Sequence, residues 1–341
     1  MLNGEVSLFF ILQVNIMKKG VLTGMPDQNK LELIAEVARL YYEEGKSQAE
    51  IGVLFEISHS TVSRMIKEAH EEKIVEVIIR YPFKTMPSLA QTLKNRFGLK
   101  DVFVMPSSGN SYRELINNLA QLAARTLENT LQDGVTLGIS LGMAVAATVR
   151  RVKISRPMHV KVVRLQGATE NELMEGTDLA QILSAQLGND SMIIPSPWMM
   201  KSIEACQLIL QEPSVSEAIK VAENADIGLV GMGSMDPEIS TILRNELTTV
   251  QELKALKKAG AVGEICGKHY DLQGKILDVD FNKRTVSIKI QKLSELTTVI
   301  GVAGSAEKAK AILGAINGGL INVLVTDSDA ARKVLELAGD E

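Results

Sequence analysis

Glu264, His269, Asp226 and Lys308 are residues of this sequence whose side chains could move a proton or hold an anion. Carboxylates and imidazoles are common general acids and bases, and a lysine one turn into a helix offers a point charge to a phosphate. Lys308 follows Gly304 and Ser305, which would open such a helix. A second group, His59, Ser60, Thr61, Ser63, Arg64 and Lys67, is polar, short or basic and closely spaced. Carried on one helix face, Arg64 could pair with a guanine, the hydroxyls could meet phosphates or bases, and Lys67 could meet a phosphate. Each residue also has a plainer role, as a solvated charge, a cap or a structural histidine. The elements that carry them decide between the two.

The 341 residues predict two domains. Hydrophobic residues make up 45% and charged residues 23% of the chain, as in an ordinary globular protein. The net charge of −4 gives no general attraction to nucleic acid or anionic membrane, so any DNA contact must be local. Cys206 and Cys266 are far apart and lack CxxC spacing or a His pair, which offers neither a disulfide framework nor a zinc site. No metal and no cofactor are expected, and a reducing cytoplasm fits. The apolar run Val6 to Met17 is too short and too polar at Gln13 and Asn15 to span a bilayer, and its lysines lie on the wrong side for a secretory signal. Residues 1–29 are therefore expected to be a disordered or misassigned leader, with Met17 or Met25 as alternative starts and no membrane partner.

From Lys30 to Tyr42, Leu31, Ile34, Val37, Ala38, Tyr41 and Tyr42 recur at helical spacing, and Gly45 ends the helix. Ser47 with Glu50 makes a capping box for a short second helix, with Ile51, Leu54 and Phe55 expected inside. After a turn at Glu56-Ile57, Ser58 can cap a third helix that buries Val62, Met65, Ile66 and Ala69. Its first two turns present His59 to Lys67, the part of a recognition helix that enters the major groove. Residues 26 to 80 hold 7 Lys and Arg against 11 Asp and Glu, which by count favours any small helical unit over a DNA reader. The carboxylates Glu68, Glu71 and Glu72, however, lie at the far end of that helix. We expect a helix-turn-helix DNA-binding domain over 30–80, winged or plain, and a linker over 81–100.

Beyond the linker, apolar runs alternate with helical ones: Val102 to Met105, Val135 to Ile139, Val160 to Leu165, Ile227 to Val230, Val299 to Val302 and Ile321 to Val325. Near-continuous apolar strands separated by helices predict an α/β fold, a parallel sheet covered on both faces. Such sheets place ligands at the carboxyl ends of their strands. Several small or polar segments fall there: Ser140-Leu141-Gly142-Met143-Ala144, Gln166-Gly167-Ala168 with a helix opening at Thr177-Asp178, Gly231 to Ser234, and the loop before Lys308. The glycine-rich turn at Ser140 could aim bare amides at an anion.

The run Ala38 to Ile79 resembles the helix-turn-helix of the SorC family of sugar-responsive bacterial transcription regulators. It departs at Gly52, where the family usually has Ala, and at Glu56, where it usually has Gly. A Glu held at positive φ would cost about 1 kcal/mol. The segments GISLGMAVA, VVRLQGA, the PSP turn at Pro195 to Pro197, ADIGLVGMGS, GAVGEICGKHYDLQG and VAGSAEKAKAILGAINGGLINVLVTD resemble the family's effector domain in order. Together the likeness spans residues 30 to 338. It implies a Rossmann-like open α/β domain over 101–341, similar to sugar-phosphate isomerases, that binds a carbohydrate and oligomerises as a homotetramer, a dimer of dimers. It further implies an effector site of Ser140, Gly142, Met143, Ala144, Gln166, Thr177, Gly231, Gly233, Glu264 and Lys308. Where many members have a hydroxyl residue in the first loop, this chain has Met143 and Ala144, which makes an uncharged sugar or polyol more credible than a sugar phosphate.

The expected function is thus a transcription regulator of a carbohydrate operon, binding operator DNA through Ser47, Gln48, His59, Ser60, Thr61, Ser63, Arg64 and Lys67. The competing reading is an isomerase- or deaminase-like enzyme with an appended helical domain, using Glu264, His269 and Asp226 for proton transfer.

Overall fold

The computed structural model describes residues 27–75, 84–107, 111–154, 158–169, 178–187, 190–244 and 246–339. The expected leader, apart from its last residues, lies outside them. The chain separates into two units, with the division between Pro82 and Phe83.

The N-terminal unit has three helices, α1 (Asp27–Tyr42), α2 (Gln48–Phe55) and α3 (His59–Glu71). Ser47 and Glu50 satisfy each other's backbone donors in a complete capping box at α2. Glu56 ends α2 in the left-handed region, at φ 53° and ψ 38°, so the turn does place a non-glycine residue at positive φ. Ser58 caps α3 through the Thr61 amide at 3.2 Å. Leu33, Ile34, Val37, Ile51, Phe55, Val62, Met65 and Ala69 form one core. Leu54 does not join it: it is 56% exposed, beside Val53 at 80%. An eight-residue helix buries a single stripe, here Ile51, Gly52 and Phe55, and Leu54 falls off that stripe. Leu31 and Tyr42 are likewise exposed. Residues 76–83, where a wing would lie, are outside the described residues.

In the C-terminal unit, α4 (Pro87–Phe97) leads into β1 (Asp101–Met105). Leu93 of α4 is fully buried in the main core, so this helix belongs to the unit and the expected linker over 81–100 is shorter than predicted. There follow α5 (Tyr112–Thr130), β2 (Thr136–Ile139), α6 (Met143–Val149), β3 (Lys161–Arg164), α7 (Leu179–Leu187), β4 (Ser191–Met192), α8 (Ile203–Ile209), α9 (Pro213–Glu223) and β5 (Ile227–Gly231). After these come β6 (Gly233–Ser234), α10 (Thr241–Arg244), α11 (Val250–Lys258), β7 (Gly263–Ile265), β8 (Lys268–Tyr270) and α12 (Asp280–Arg284). The chain closes with β9 (Thr298–Val302), α13 (Ala309–Asn317), β10 (Val323–Asp327) and α14 (Ser328–Leu337).

Seven strands form one sheet in the order β1-β10-β9-β5-β2-β3-β4, with every neighbour parallel. Alternate residues serve opposite layers. Ile139, Leu229, Ile300 and Val325 pack with α5, α6 and α7, while Val163, Val230, Val299 and Leu324 pack with α4, α13 and α14. The α/β expectation holds, and the sequence reading missed the short β4 and a second sheet. A three-stranded antiparallel sheet, β6-β7-β8, sits beyond the end of β5. Its β7–β8 hairpin turns through Cys266 at φ 50° and Gly267 at φ 75°, the two positive φ values of a two-residue hairpin turn.

Candidate functional site

After β2 the chain runs through α6 to β3, on one side of the sheet order; after β5 it proceeds to β9, on the other. The two adjacent strands therefore diverge at their carboxyl ends, the topological switch point where open α/β sheets hold ligands. A cavity of about 270 Å³ opens there. It is lined by Leu141 to Ala144 after β2, Gln166 after β3, Gly231 to Gly233 after β5, and Glu264 and Lys308.

Local rules place each group. Gly142 sits at φ 139° with nothing near its missing side chain, so backbone conformation alone calls for glycine as the chain enters α6. Ser140 is buried behind the lining: its hydroxyl donates to the Leu141 carbonyl at 3.0 Å and accepts from the Gly231 amide at 3.1 Å, tying the two diverging loops together. Gly233 gives way to Glu264, since a Cβ there would lie 2.0 Å from the carboxylate. The Gly267 amide donates to Glu264 Oε2 at 2.9 Å. Lys308, only 6% exposed, donates to the Met232 carbonyl at 2.7 Å.

Burial sets the electrostatics. It pushes the Glu264 carboxyl above its ordinary value, against the Gly267 amide and the Lys308 charge. It also lowers the Lys308 amine to about 8, with Arg244 acting in the same sense and Glu264 opposing. The Tyr112 hydroxyl on the same lining is raised to about 12, chiefly by burial. At the rim, Arg150 joins the lining and Arg244 donates to Met143 Sδ at 3.0 Å.

Of the effector residues expected from sequence, Gly142, Met143, Ala144, Gln166, Gly231, Gly233, Glu264 and Lys308 all border this one cavity. Ser140 supports it from behind. Thr177 lies outside the described residues. The following Asp178 accepts from the Ala180 amide at 2.6 Å at the start of α7 and pairs at 2.7 Å with Arg164, which is 2% exposed at the end of β3. Sequence reading missed Arg164, hidden within an apolar strand, together with Tyr112, Arg150 and Trp198. Trp198 could have been found, as the single tryptophan directly after the PSP turn.

The proton-transfer trio does not assemble. Asp226 accepts from the Thr136 amide at 2.8 Å, at the amino ends of β2 and β5, the opposite edge of the sheet. His269 is wholly buried, borders Phe281 edge-on and shares Asn282 Oδ1 at 3.1 Å. Burial lowers it to about 4. Only Glu264 faces the cavity.

On α3, His59, Ser60, Ser63, Arg64 and Lys67 are exposed. The Ser60 and Thr61 hydroxyls each lie 2.8 Å from Ser58 Oγ, so both are engaged at the cap. Lys67 faces Glu71 at 3.5 Å in solvent, and Ser47 is occupied by Glu50. Among the described residues no helix is long and apolar enough to cross a membrane, and no group of three or more His, Cys, Asp or Glu is placed to hold a metal.

A helix-turn-helix joined to an open α/β unit with a small-molecule cavity at its switch point defines a ligand-responsive transcription regulator. The sugar-binding domain family (Sugar-bind) matches residues 81–336. The chain belongs to this family, that of the SorC-type transcriptional regulators. It is 30% identical over 317 residues to the sorbitol operon regulator of Klebsiella pneumoniae, covering 92% of this chain and 100% of that protein. It is 27% identical over 311 residues to the deoxyribonucleoside regulator of Bacillus subtilis, covering 91% and 99%. The crystal structure of full-length SorC from Klebsiella pneumoniae aligns with a TM-score of 0.66 at 29% identity, over 90% of this chain and 99% of that one. These relatives are all named as regulators.

Proposed function

We propose that the cavity at the β2–β5 switch point binds a small carbohydrate, and that its occupancy changes the affinity of the helix-turn-helix for operator DNA upstream of carbohydrate-catabolic genes in the cytoplasm. The observation that carries this reading is the convergence of Gln166, Glu264 and Lys308 with the glycine loops on one cavity, within the matched sugar-binding domain. A few placed polar groups among apolar walls are what orient a small polar ligand. The candidates are a sugar, a polyol or a sugar phosphate. Met143 and Ala144 supply no hydroxyl for a phosphoryl group, and α6 has only seven residues. Lys308 and Arg150 supply positive charge instead.

For coupling, the effector must bind the DNA-competent and incompetent states with unequal affinity. A homotetramer built as a dimer of dimers would present paired α3 helices to half-sites of fixed spacing. The DNA contacts we propose centre on Arg64 and Ser63, with His59, Ser60, Thr61, Lys67, Ser47 and Gln48 around them.

The test is a panel of sugars, polyols and their phosphates, screened by melting temperature and by operator mobility shift. A compound that both stabilises the protein and changes operator affinity is the expected result. Catalytic turnover of a panel member, with no change in operator affinity, would reverse the reading.

A further inference from the structure

Trp198 is 3% exposed, and its backbone is fully engaged. Its amide donates to the Ala168 carbonyl at 2.7 Å and its carbonyl accepts from the Val286 amide at 2.8 Å. The indole Nε1 is different: it is buried and has no partner among the described residues. Buried indole N–H groups ordinarily find an acceptor, and an orphan calls for an explanation.

Two neighbours supply one. Trp198 lines the effector cavity together with Glu264. It also packs on Gly267 so closely that a Cβ there would fall 2.5 Å from Nε1 and 2.4 Å from Cζ2. Gly267 is the residue whose amide holds Glu264 Oε2. An unused donor and a carboxyl group therefore sit against the same hairpin turn at one end of the cavity. His269 Nε2, also buried without a partner among the described residues, serves no such purpose. Asn282 Nδ2 donates to the His269 and Leu277 carbonyls, which leaves Oδ1 to accept from His269 Nδ1, and His269 does not reach the cavity.

Resting on the carbohydrate-receptor reading above, we infer that Trp198 is an effector contact whose indole N–H donates to a hydroxyl oxygen of the sugar or polyol. Glu264 accepts a hydrogen bond from a neighbouring hydroxyl, and the indole ring covers an apolar C–H face. Hydroxyls match this pair because they both accept and donate, whereas an ionised phosphoryl oxygen only accepts and would be set against a carboxyl group. The cavity then has a hydroxyl-reading end at Trp198 and Glu264. Any charged group of the effector lies away from the indole N–H.

Trp198 is the only tryptophan in the chain, so biosynthetic replacement of tryptophan by β-(3-benzothienyl)alanine alters this residue alone. The analogue keeps the bicyclic shape and removes the N–H. Full-length protein is first screened by melting temperature against sorbitol, ribose, 2-deoxyribose 5-phosphate, glucose 6-phosphate and inorganic phosphate. Each sugar or polyol that stabilises it is then titrated into the analogue-substituted protein and into Trp198→Phe. The expected result is an affinity loss of about threefold to tenfold in both, the effect of one neutral hydrogen bond, with the unliganded melting temperature of the analogue protein unchanged. Wild-type affinity in the analogue protein would overturn the assignment while leaving the receptor reading intact. Inorganic phosphate binding that weakens by the same factor would also overturn it, by placing an anion at the hydroxyl end. Stabilisation by no sugar or polyol on the panel would overturn the receptor reading and the assignment together.

Discussion

On α3, Ser63, Arg64 and Lys67 stand in solvent around a helix whose other face is closed by Val62, Met65 and Ala69. In the α/β unit, Lys308 is buried and Glu264 half-buried, held by the Met232 carbonyl and the Gly267 amide. The first arrangement leaves its charges hydrated until a polyanion arrives, so affinity there depends on displaced counterions and salt. The second has already removed its charges from water, so an arriving ligand meets groups whose protonation is set by the fold. One site is a surface that a large partner completes; the other is a preformed enclosure that fits a small one.

Four perturbations sharpen this contrast, and the largest lies in the enclosed unit. Arg164→Ala leaves Asp178 without its buried guanidinium partner at the start of α7. Breaking such a pair costs about 3–5 kcal/mol, which chemical denaturation of the C-terminal unit will register. Lys67→Ala, whose partner Glu71 is also exposed, serves as the near-silent control for stability.

Next is Arg64→Ala. A lost guanine contact is worth about 1–3 kcal/mol, so operator affinity should fall roughly fivefold to 150-fold while effector-induced thermal stabilisation stays intact. Unchanged operator affinity would remove Arg64 from the base-reading role.

The third concerns pH. Because the Lys308 amine lies at about 8 in the fold, against an ordinary 10.5, the unfolded chain holds the proton more readily between those values. The contribution of Lys308 to stability therefore rises as pH increases through that window. Binding of a phosphorylated effector to a charged Lys308 should run the other way, weakening by about tenfold per pH unit above 8. Glu264 and Arg244 are the charged groups that share its field. Calorimetric titration across pH 7 to 10 should show this slope for a phosphate ester and not for a neutral polyol, and Lys308→Ala should abolish it.

The smallest is Glu56→Gly, which relieves a left-handed residue at φ 53°. It should stabilise the helix-turn-helix by about 1 kcal/mol, measured on the melting of that unit.

Much of the α/β unit was legible because six of its strands are near-continuous apolar runs, and because the residues following them converge by topology. The two-residue β4 and the small β6-β7-β8 sheet carry too few residues for any periodicity, so they escaped. Leu54 misled for a related reason: spacing names two possible stripes on a two-turn helix, and only packing against α3 chooses between them. His269 looked catalytic by residue type, yet its environment is Asn282 and the edge of Phe281, which no spacing discloses. Arg164 reads as an ordinary interruption of a strand until the fold brings Asp178 to it. The effector loops, in contrast, were visible through their glycines, because close approach to Glu264 at Gly233 leaves a compositional trace.

The divergence of β2 and β5 has a consequence for motion. Leu141 and Lys308 border the same cavity but belong to halves of the sheet that the chain builds from distant segments. A ligand touching both acts as a non-covalent strap across the seam. Opening the β9–α13 half would then require releasing the ligand, so amide hydrogens there should exchange more slowly in the complex, while those on the outer face of α4 keep their free-state rates.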